Sequence, residues 1–335
     1  ESTGKELWTY DHECPYTMAA TYATGPRATA AIDGNRVYSL GAEGHLACLN
    51  FEDGKVVWSK ELRTEYKLAT PIWGFSSHPL IDGDRLYLMV GGKGSSVVAF
   101  DKHTGKELWR ALNAKEAGYA PPMIGSFDGT RQLVAWTGDE LAGLGLKNGE
   151  VAWTVPAPSQ FAMSIGLPKP KNNLVWLMCF NRKAWLVKVS ENGTLADVEW
   201  EGDSSHGING VMNTPFVLGD HAYGCGPDGR YICARLSDGK HEWSTLETLG
   251  IKRPISWGNV FTVRHKDRFF LSTDLGDLVI ARLSPEGYQE ISRAHLIEPN
   301  HEIGMRKVVW SHPAFANKSV YLRNEGELRC YSLAK

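Results

Sequence analysis

A nine-residue segment at 101–109, DKHTGKELW, returns in related form along most of the chain. Its last residue serves as a reference position. Six copies end in a tryptophan and a seventh, LSPEGYQEI, ends in Ile291; the six are Trp8, Trp58, Trp109, Trp153, Trp200 and Trp243. Consecutive copies lie 50, 51, 44, 47, 43 and 48 residues apart. Periods of this size indicate an array of supersecondary units, each too small to bury its own apolar face.

Each repeat contains four short runs of β-forming residues. In the repeat at 27–62 these runs are separated by Asp-Gly or Glu-Gly pairs at 33–34, 43–44 and 53–54. Glycine tolerates the positive φ of tight turns, so such pairs predict hairpins. Four antiparallel strands per repeat predict an all-β fold of the β-propeller type. Six complete blades are expected at about 27–62, 76–112, 121–156, 163–202, 211–247 and 259–296.

A seventh blade is expected from the two ends of the chain. Residues 1–10 resemble only the last strand of a blade, and residues 311–335 supply a first, second and third strand. Pairing the two ends gives seven four-stranded blades in one domain, 1–335, and leaves no open edge. The alternative is eight blades, one of them completed by upstream residues, because the chain opens inside a repeat and without a methionine.

Bulk composition excludes several classes of protein. The net charge of -2 gives no basis for binding nucleic acid or an anionic membrane, and no run of 18 apolar residues predicts a transmembrane helix. Cys48, Cys233 and Cys330 occupy one position in three different repeats. Cys225 shares a hairpin with Cys233, but a two-residue turn would set it opposite Ile232. We therefore expect free thiols.

The connectors between blades carry the unusual residues of the chain. In a propeller these connectors converge on one mouth of the central channel, where loops on a rigid scaffold often carry function. Trp73, Trp257 and Trp310 each precede an inner strand, and we expect them around the same mouth. The other candidates for a ligand site at this mouth are Arg27, His78, Tyr119, His206, Asn209, Asn213 and His312.

Two interpretations of this set remain open. Aromatic rings with amide, imidazole and guanidinium donors are typical of a pocket for a polar, flat-faced ligand such as a saccharide or quinone, or for a peptide. Alternatively, the side chains fill the channel, or recur because the repeats share ancestry. His78 and His312 both lie in Ser-His-Pro, but no further ligand at a regular spacing supports a metal site.

The repeat resembles the tryptophan-docking unit of the PQQ-like quinoprotein propellers, a superfamily that includes quinoprotein alcohol dehydrogenases and the BamB lipoproteins. The resemblance covers nearly the whole chain, and six of the 12 tryptophans share the one register. The segments WGFSSHPLIDGDRLYL and VVWSHPAFANKSVYLRNEGELRCYSLAK are most similar to uncharacterised members from environmental bacteria. WD40 propellers fit less well, since Ser, Arg and Ser follow Trp58, Trp109 and Trp243.

This resemblance implies structural tryptophans that dock one blade on the next by lying over a glycine of the neighbouring repeat, burying about 150–250 Å² each. It also implies a non-catalytic ligand- or protein-binding scaffold of the bacterial periplasm or cell envelope. The alternatives are a PQQ-dependent dehydrogenase or a carbohydrate-active enzyme. Dehydrogenases of the superfamily carry an adjacent cysteine pair and Ca²⁺ ligands, which this sequence lacks. No cofactor is therefore expected, and PQQ with Ca²⁺ is disfavoured.

Overall fold

The computed structural model describes residues 3–16, 26–114, 116–180, 183–203 and 205–334. Its first three sheets each contain four strands in sequence order, and every pair is antiparallel. The first sheet comprises β1 (Ala31–Asp33), β2 (Arg36–Leu40), β3 (His45–Asn50) and β4 (Val56–Glu61). The second comprises β5 (Leu80–Asp82), β6 (Arg85–Met89), β7 (Val97–Asp101) and β8 (Glu107–Ala111). The third comprises β9 (Met123–Phe127), β10 (Thr130–Trp136), β11 (Glu140–Gly145) and β12 (Val151–Pro156).

Three further four-stranded sheets follow, again in sequence order. The fourth comprises β13 (Lys169–Lys171), β14 (Leu174–Cys179), β15 (Lys183–Val189) and β16 (Ala196–Gly202). The fifth comprises β17 (Phe216–Leu218), β18 (His221–Cys225), β19 (Tyr231–Arg235) and β20 (His241–Thr245). The sixth comprises β21 (Val260–His265), β22 (Arg268–Thr273), β23 (Asp277–Ser284) and β24 (Gly287–His295). Each sheet falls inside one predicted blade.

The last part of the chain forms two smaller sheets. A two-stranded hairpin of β25 (His301–Ile303) and β26 (Arg306–Val308) precedes the seventh sheet of β27 (Ala314–Ala316), β28 (Ser319–Arg323) and β29 (Leu328–Ser332). The only α-helix of the described residues is α1 (Leu62–Glu65). The chain is an all-β, seven-bladed propeller, and the predicted fold class is confirmed.

The contacts of the chain divide it into two compact units. The first contains the described residues of 1–19, 24–174 and 189–197, and the second contains those of 175–188 and 198–335. In the first unit, the inner strands of neighbouring sheets pack through apolar side chains such as Tyr38 and Leu88. In the second unit Tyr223 and Leu271 pack in the same way. The cores therefore lie between sheets, as expected when no sheet can bury both of its faces alone.

Five of the six indoles at the reference position make closely related contacts. The Nε1 atoms of Trp8, Trp58, Trp109, Trp200 and Trp243 donate to the carbonyl oxygens of Phe51, Lys102, Leu146, Leu236 and Ser284, at 2.8–3.2 Å. Each acceptor lies in the following repeat. Gly54 and Gly105, which have positive φ, lie directly under the rings of Trp8 and Trp58. Each of these indoles therefore joins one repeat to the turn of the next.

Trp153 makes this connection through another side chain. Its ring lies against Gly143 of its own sheet, and its Nε1 donates to Oε1 of Gln132 at 2.8 Å. The Nε2 atom of Gln132 then donates to the carbonyl oxygen of Gly193 at 2.7 Å. Gln132 is buried, so both hydrogen bonds are shielded from water. The amide thus takes over the connection that the other indoles make directly.

The reference position of the sixth sheet differs from the sequence prediction. In the first sheet Cys48 pairs with Trp58 and Leu49 with Val56, so the intervening residue forms a β-bulge. In the sixth sheet the bulged residue is Ile291, and Ser292 pairs opposite Ile280. The assignment of Ile291 to the tryptophan position was wrong by one residue. The prediction located the reference position by its distance from the turn glycine. In this sheet Gly287 is itself the first residue of β24 and directly follows a two-residue turn, so that distance differs.

Two other expectations concern the chain ends and the cysteines. Residues 3–16 form no strand, so closure of the seventh sheet by the N-terminal segment stays a prediction; instead Trp8 and Tyr10 pack against the first sheet. All six cysteines are free thiols. Cys225 pairs opposite Tyr231 instead of Ile232, because the turn in this hairpin is longer than two residues.

We predict that Gly105→Ala destabilises the protein more than Gly129→Ala does. Both glycines have positive φ, 71° and 79°, so both variants carry a similar backbone strain. A methyl group at Gly105 would lie 2.7 Å from Trp58, whereas at Gly129 it would meet no atom within 4 Å. Overpacking of this kind costs about 1–3 kcal/mol. Urea unfolding of the two variants measures the difference, and equal losses would contradict the docking role of Trp58.

We predict that Gln132→Ala lowers the free energy of unfolding by at least about 2 kcal/mol. The substitution removes the partner of the Trp153 indole and the partner of the Gly193 carbonyl, and each buried polar group left without a partner costs about 1–3 kcal/mol. Gln289→Ala, at an exposed position of β24, is the control and should change little. Equal urea midpoints for both variants would show that the amide bridge contributes nothing.

Candidate functional site

The connector residues predicted to form a ligand site lie in both units. Four belong to the first unit and six to the second. The first set is Arg27, Trp73, His78 and Tyr119; the second is His206, Asn209, Asn213, Trp257, Trp310 and His312. The expected meeting of Trp73 with Trp257 and Trp310 involves both units and stays a prediction.

Three of the four residues in the first unit come together around Tyr16. The guanidinium carbon of Arg27 lies 5.9 Å from the centre of the Tyr16 ring, and the Tyr16 hydroxyl donates to the Ile72 carbonyl at 2.6 Å. The next residue, Trp73, meets Tyr119 edge to face at 5.7 Å. Burial raises the pKa of Tyr119, so this phenol stays neutral near pH 7. The result is a cationic and aromatic cluster without a strong base.

His78, the fourth residue, lies just before β5 in a half-buried position. Burial lowers the pKa of its imidazole, because the charged form is poorly solvated there. The side chain is therefore neutral near pH 7. Next to it, the buried Ser77 hydroxyl has no hydrogen-bond partner among the described residues. A serine without a contacting base is not an activated nucleophile.

The second unit contains a fully buried carboxylate, Asp274, at the end of β22. Its Oδ2 accepts a hydrogen bond from Nη2 of Arg306 at 2.7 Å. Desolvation raises the pKa of Asp274, while Arg306, the Trp310 indole and the backbone N–H of Asn259 oppose the shift. A buried carboxyl group with a raised pKa and a specific charge partner is the kind of group found at functional sites, but also in structural ion pairs.

Arg306 extends this cluster to the connector between the fifth and sixth sheets. Its Nε donates to the Ser256 carbonyl at 3.0 Å and its Nη2 to the Trp257 carbonyl at 2.7 Å. The backbone N–H of Val309 also donates to the Asp274 carbonyl, at 2.8 Å. The ion pair therefore holds two connectors, 251–259 and 296–313, at the end of one buried strand.

Asn213 reaches the same region from the start of the fifth sheet. Its Nδ2 donates to the Cys225 carbonyl at 3.0 Å and to Oδ1 of Asn259 at 2.8 Å. Nδ2 of Asn259 is buried and has no partner among the described residues. Burial raises the pKa of the Cys225 thiol well above its usual value, so this cysteine is not a thiolate nucleophile.

The other three predicted residues of this unit lie in local structures of their own. Asp203 organises a turn in which its Oδ1 accepts from the backbone N–H groups of Ser205 and His206 at 2.7 and 3.2 Å, and its carbonyl accepts from Asn209. Hydrogen bonds from Ser205 lower the pKa of Asp203 to about 2. The His312 ring lies 4.0 Å from the ring of Phe261.

Sequence reasoning missed Asp274, Arg306 and Asn259, although they connect Asn213, Trp257 and Trp310. Only adjacent Asp-Gly pairs were considered, as turns, and Asp274 is separated from Gly276 by Leu275. One signal was available. Asp274 directly follows the largely buried segment FFLST of β22, so its carboxylate is expected to be buried as well. The hairpin of β25 and β26 was likewise treated as connector.

Two connector aromatics are exposed on an unusual backbone. Phe161 has φ 55° and ψ 30°, and 58% of its surface is exposed. Trp257 has φ 58° and is 39% exposed. Left-handed backbone costs an aromatic residue about 1–3 kcal/mol, so the surrounding contacts must hold it. At Phe161 these include a hydrogen bond of 2.9 Å from Ser159 to the Gly138 carbonyl, and at Trp257 one of 2.6 Å from its own N–H to Pro227.

Within the ranges that the structure describes, no group of three His, Cys, Asp or Glu side chains is arranged to hold a metal ion. No described helix has the length and apolar character needed to span a bilayer.

We predict that Arg306→Met lowers the free energy of unfolding by about 3 kcal/mol, since it leaves the buried Asp274 carboxylate without its charge partner. The loss should grow as the pH rises, because the unpaired carboxyl group has a still higher pKa and is neutral only at low pH. The double variant Asp274→Asn/Arg306→Met should recover part of the lost free energy of unfolding. Arg268→Met, at an exposed site of β22, is the control. A double variant as unstable as the sum of both single variants would contradict this coupling.

Comparison with known proteins agrees with the repeat analysis. The chain is 23% identical over 253 residues to the outer membrane protein assembly factor BamB of Moranella endobia (strain PCIT), covering 71% of this chain and 62% of that protein. It is 32% identical over 111 residues to the quinoprotein alcohol dehydrogenase PedH of Pseudomonas putida, covering 32% of this chain and 18% of that enzyme. The chain thus spans less than two thirds of either relative.

Among solved structures, BamB of Moraxella catarrhalis superimposes with a TM-score of 0.65 at 15% identity, over 91% of this chain and 84% of that one. This likeness concerns the fold. The family model described as outer membrane protein assembly factor BamB matches residues 1–245. The chain therefore belongs to this family of PQQ-like β-propellers.

Proposed function

We propose that this chain is a non-catalytic scaffold of the bacterial periplasm or cell envelope that binds a protein partner through its connectors. The proposal rests on one observation above all: Phe161 and Trp257 are large aromatic side chains that a constrained left-handed backbone holds in contact with water. Aromatic residues of this kind contribute strongly to protein interfaces when a partner buries them. The names of the BamB relatives, which describe outer membrane protein assembly factors, support the envelope location.

The chemistry of the connectors favours binding over catalysis. The Tyr119 phenol and, at the end of β18, the Cys225 thiol have raised pKa values, and His78 has a lowered one, so all three side chains are neutral near pH 7. A general base or nucleophile needs a second group that activates it within hydrogen-bond reach. We propose that no quinone or metal is needed for function.

We predict that Phe161→Ser and Trp257→Ser each weaken partner capture without unfolding the protein. The tagged chain would be produced in a bacterial envelope, crosslinked in intact cells and purified, and the captured outer-membrane assembly components quantified by mass spectrometry. Leu195→Ser is the control, because Leu195 is 68% exposed but has an ordinary backbone. Loss in both aromatic variants with retention in the control is expected. Equal capture by all variants would contradict the proposal.

A ligand-binding alternative comes from the cluster of Arg27, Tyr16, Trp73 and Tyr119, whose cation and rings suit a flat, polar molecule such as a saccharide or quinone. The same purified protein distinguishes the two. A rise in melting temperature with PQQ and Ca²⁺, or with an oligosaccharide, would favour this alternative by mass action. The scaffold proposal expects no shift at saturating concentrations.

A further inference from the structure

The hairpin of β25 and β26 is an addition to the seven-sheet plan, inserted between the sixth and seventh sheets. Its two strands pair from His301 with Val308 to Ile303 with Arg306, around a turn of Gly304 and Met305. His301, Ile303 and Val308 are buried, so one face of the hairpin belongs to the core of the second unit. The turn points into solvent, and the Met305 side chain is fully exposed there.

The buried face of the hairpin is rigidly attached. Arg306 bonds to Asp274 and to the carbonyls of Ser256 and Trp257, as described above, and His301 pairs with Glu325. These contacts fix the turn against the connector that carries Trp257. A partner that binds this turn therefore meets a preformed surface and has little ordering cost to offset.

The turn and the Trp257 indole form the apolar part of this surface. A methyl group built on Gly304 would lie 3.6 Å from Cζ3 of Trp257, which places the indole beside the turn that carries Met305. An indole and an unbranched thioether make an adaptable apolar contact for another side chain. We call the exposed residues Lys252, Arg253, Trp257, Met305 and Lys307 the hairpin surface.

The polar part of the hairpin surface is basic. Lys252 and Arg253 are exposed in the same connector as Trp257, and Lys307 is exposed in β26. None of the three forms an ion pair with a described residue. Glu302, which pairs opposite Lys307 in the hairpin, is its only acidic residue and is exposed. The surface therefore carries a local excess of positive charge, although the whole chain has a net charge of -2.

Other acidic groups of this region already have partners. Glu298 lies 3.2 Å from His295, Glu325 pairs with His301, and Asp228 pairs with Arg230. They are therefore poor candidates for neutralising Lys252, Arg253 or Lys307. Charge complementarity across an interface raises the rate of association and selects the partner.

We propose that the hairpin surface binds an acidic peptide segment of a protein partner, with an apolar side chain of that segment against Trp257 and Met305 and its carboxylates beside Lys252, Arg253 and Lys307. This rests on the scaffold function proposed above and names the chemistry of its partner. The competing class of occupant that suits a basic, aromatic surface is an anionic membrane. The exposed carboxylate of Glu302 favours the peptide, since a peptide can place a neutral or basic residue there and a uniformly anionic surface cannot.

The test uses the whole purified protein and synthetic probes. An array of ten-residue peptides would combine Asp and Glu with one Leu or Phe, and matched arrays would replace the acids by Lys or the apolar residue by Ser. Phosphatidylglycerol vesicles would be tested beside phosphatidylcholine vesicles. The expected result is binding of acidic peptides that contain the apolar residue, weakened by added NaCl because the charges are exposed.

Substitutions then locate the binding. Lys252→Glu/Arg253→Glu and Met305→Ser should each weaken the best peptide about tenfold, a change of about 1.4 kcal/mol in binding by the standard conversion. Arg268→Glu and Leu328→Ser are exposed controls of the same types in the second unit, and they should leave affinity unchanged. Near-ultraviolet circular dichroism would verify that every variant is folded.

Three outcomes would overturn the inference: binding of the lysine array, unchanged affinity in Lys252→Glu/Arg253→Glu, or binding of phosphatidylglycerol vesicles without peptide binding. The scaffold function is tested separately. If the envelope crosslinking depends on Phe161 and Trp257 but not on Lys252 and Arg253, the scaffold stands and the acidic partner is wrong. If no partner is captured at all while acidic peptides bind, the peptide site stands and the scaffold function is wrong.

Discussion

The structure depends on the contact between the reference tryptophan of one repeat and the turn of the next. A four-stranded sheet of strands this short, three to nine residues each, cannot bury both faces, so each repeat is stable only against a neighbour. The indole supplies a large apolar surface together with one N–H donor, and the receiving turn offers a bare glycine and a free carbonyl oxygen. Because Gly54 and Gly105 have no side chain, the turn can approach the ring this closely, and their positive φ is a second reason for glycine there.

In the first, second, third, fifth and sixth sheets, a β-bulge next to the reference residue contributes to the same contact. One extra residue in the outer strand twists it locally and changes which side chain faces the neighbouring repeat. In the sixth sheet the bulge falls on Ile291, and Ser292 occupies the reference position. In the third sheet Trp153 lies over Gly143 of its own sheet, and Gln132 completes the connection. The third sheet therefore keeps the connection while varying the side chain that makes it.

The connectors of the second unit owe their positions to a different kind of interaction. The carboxylate of Asp274 is fully buried and therefore costly to desolvate, and the guanidinium of Arg306 compensates its charge. The pair holds the Trp257 connector and the β25–β26 hairpin at the end of β22. The scaffold interpretation and the hairpin surface both depend on this arrangement, since it keeps Trp257 and Met305 at fixed places in solvent.

The sequence by itself determined the repeat period, the turn glycines, the number of blades and the docking position of most tryptophans. These features are local: a glycine after an aspartate specifies a turn, and alternation of apolar residues specifies a strand wherever the segment lies. It also brought out Arg27, Trp73 and Tyr119, which do lie near one another. Only the tertiary structure decided the bulge at Ile291, the bridge through Gln132 and the joining of Asn213, Trp257 and Trp310 around Asp274. Those depend on strand register and on contacts between distant residues, such as Gln132 with Gly193, 61 positions apart, and Asp274 with Arg306, 32 positions apart, and no local pattern of residues encodes such contacts.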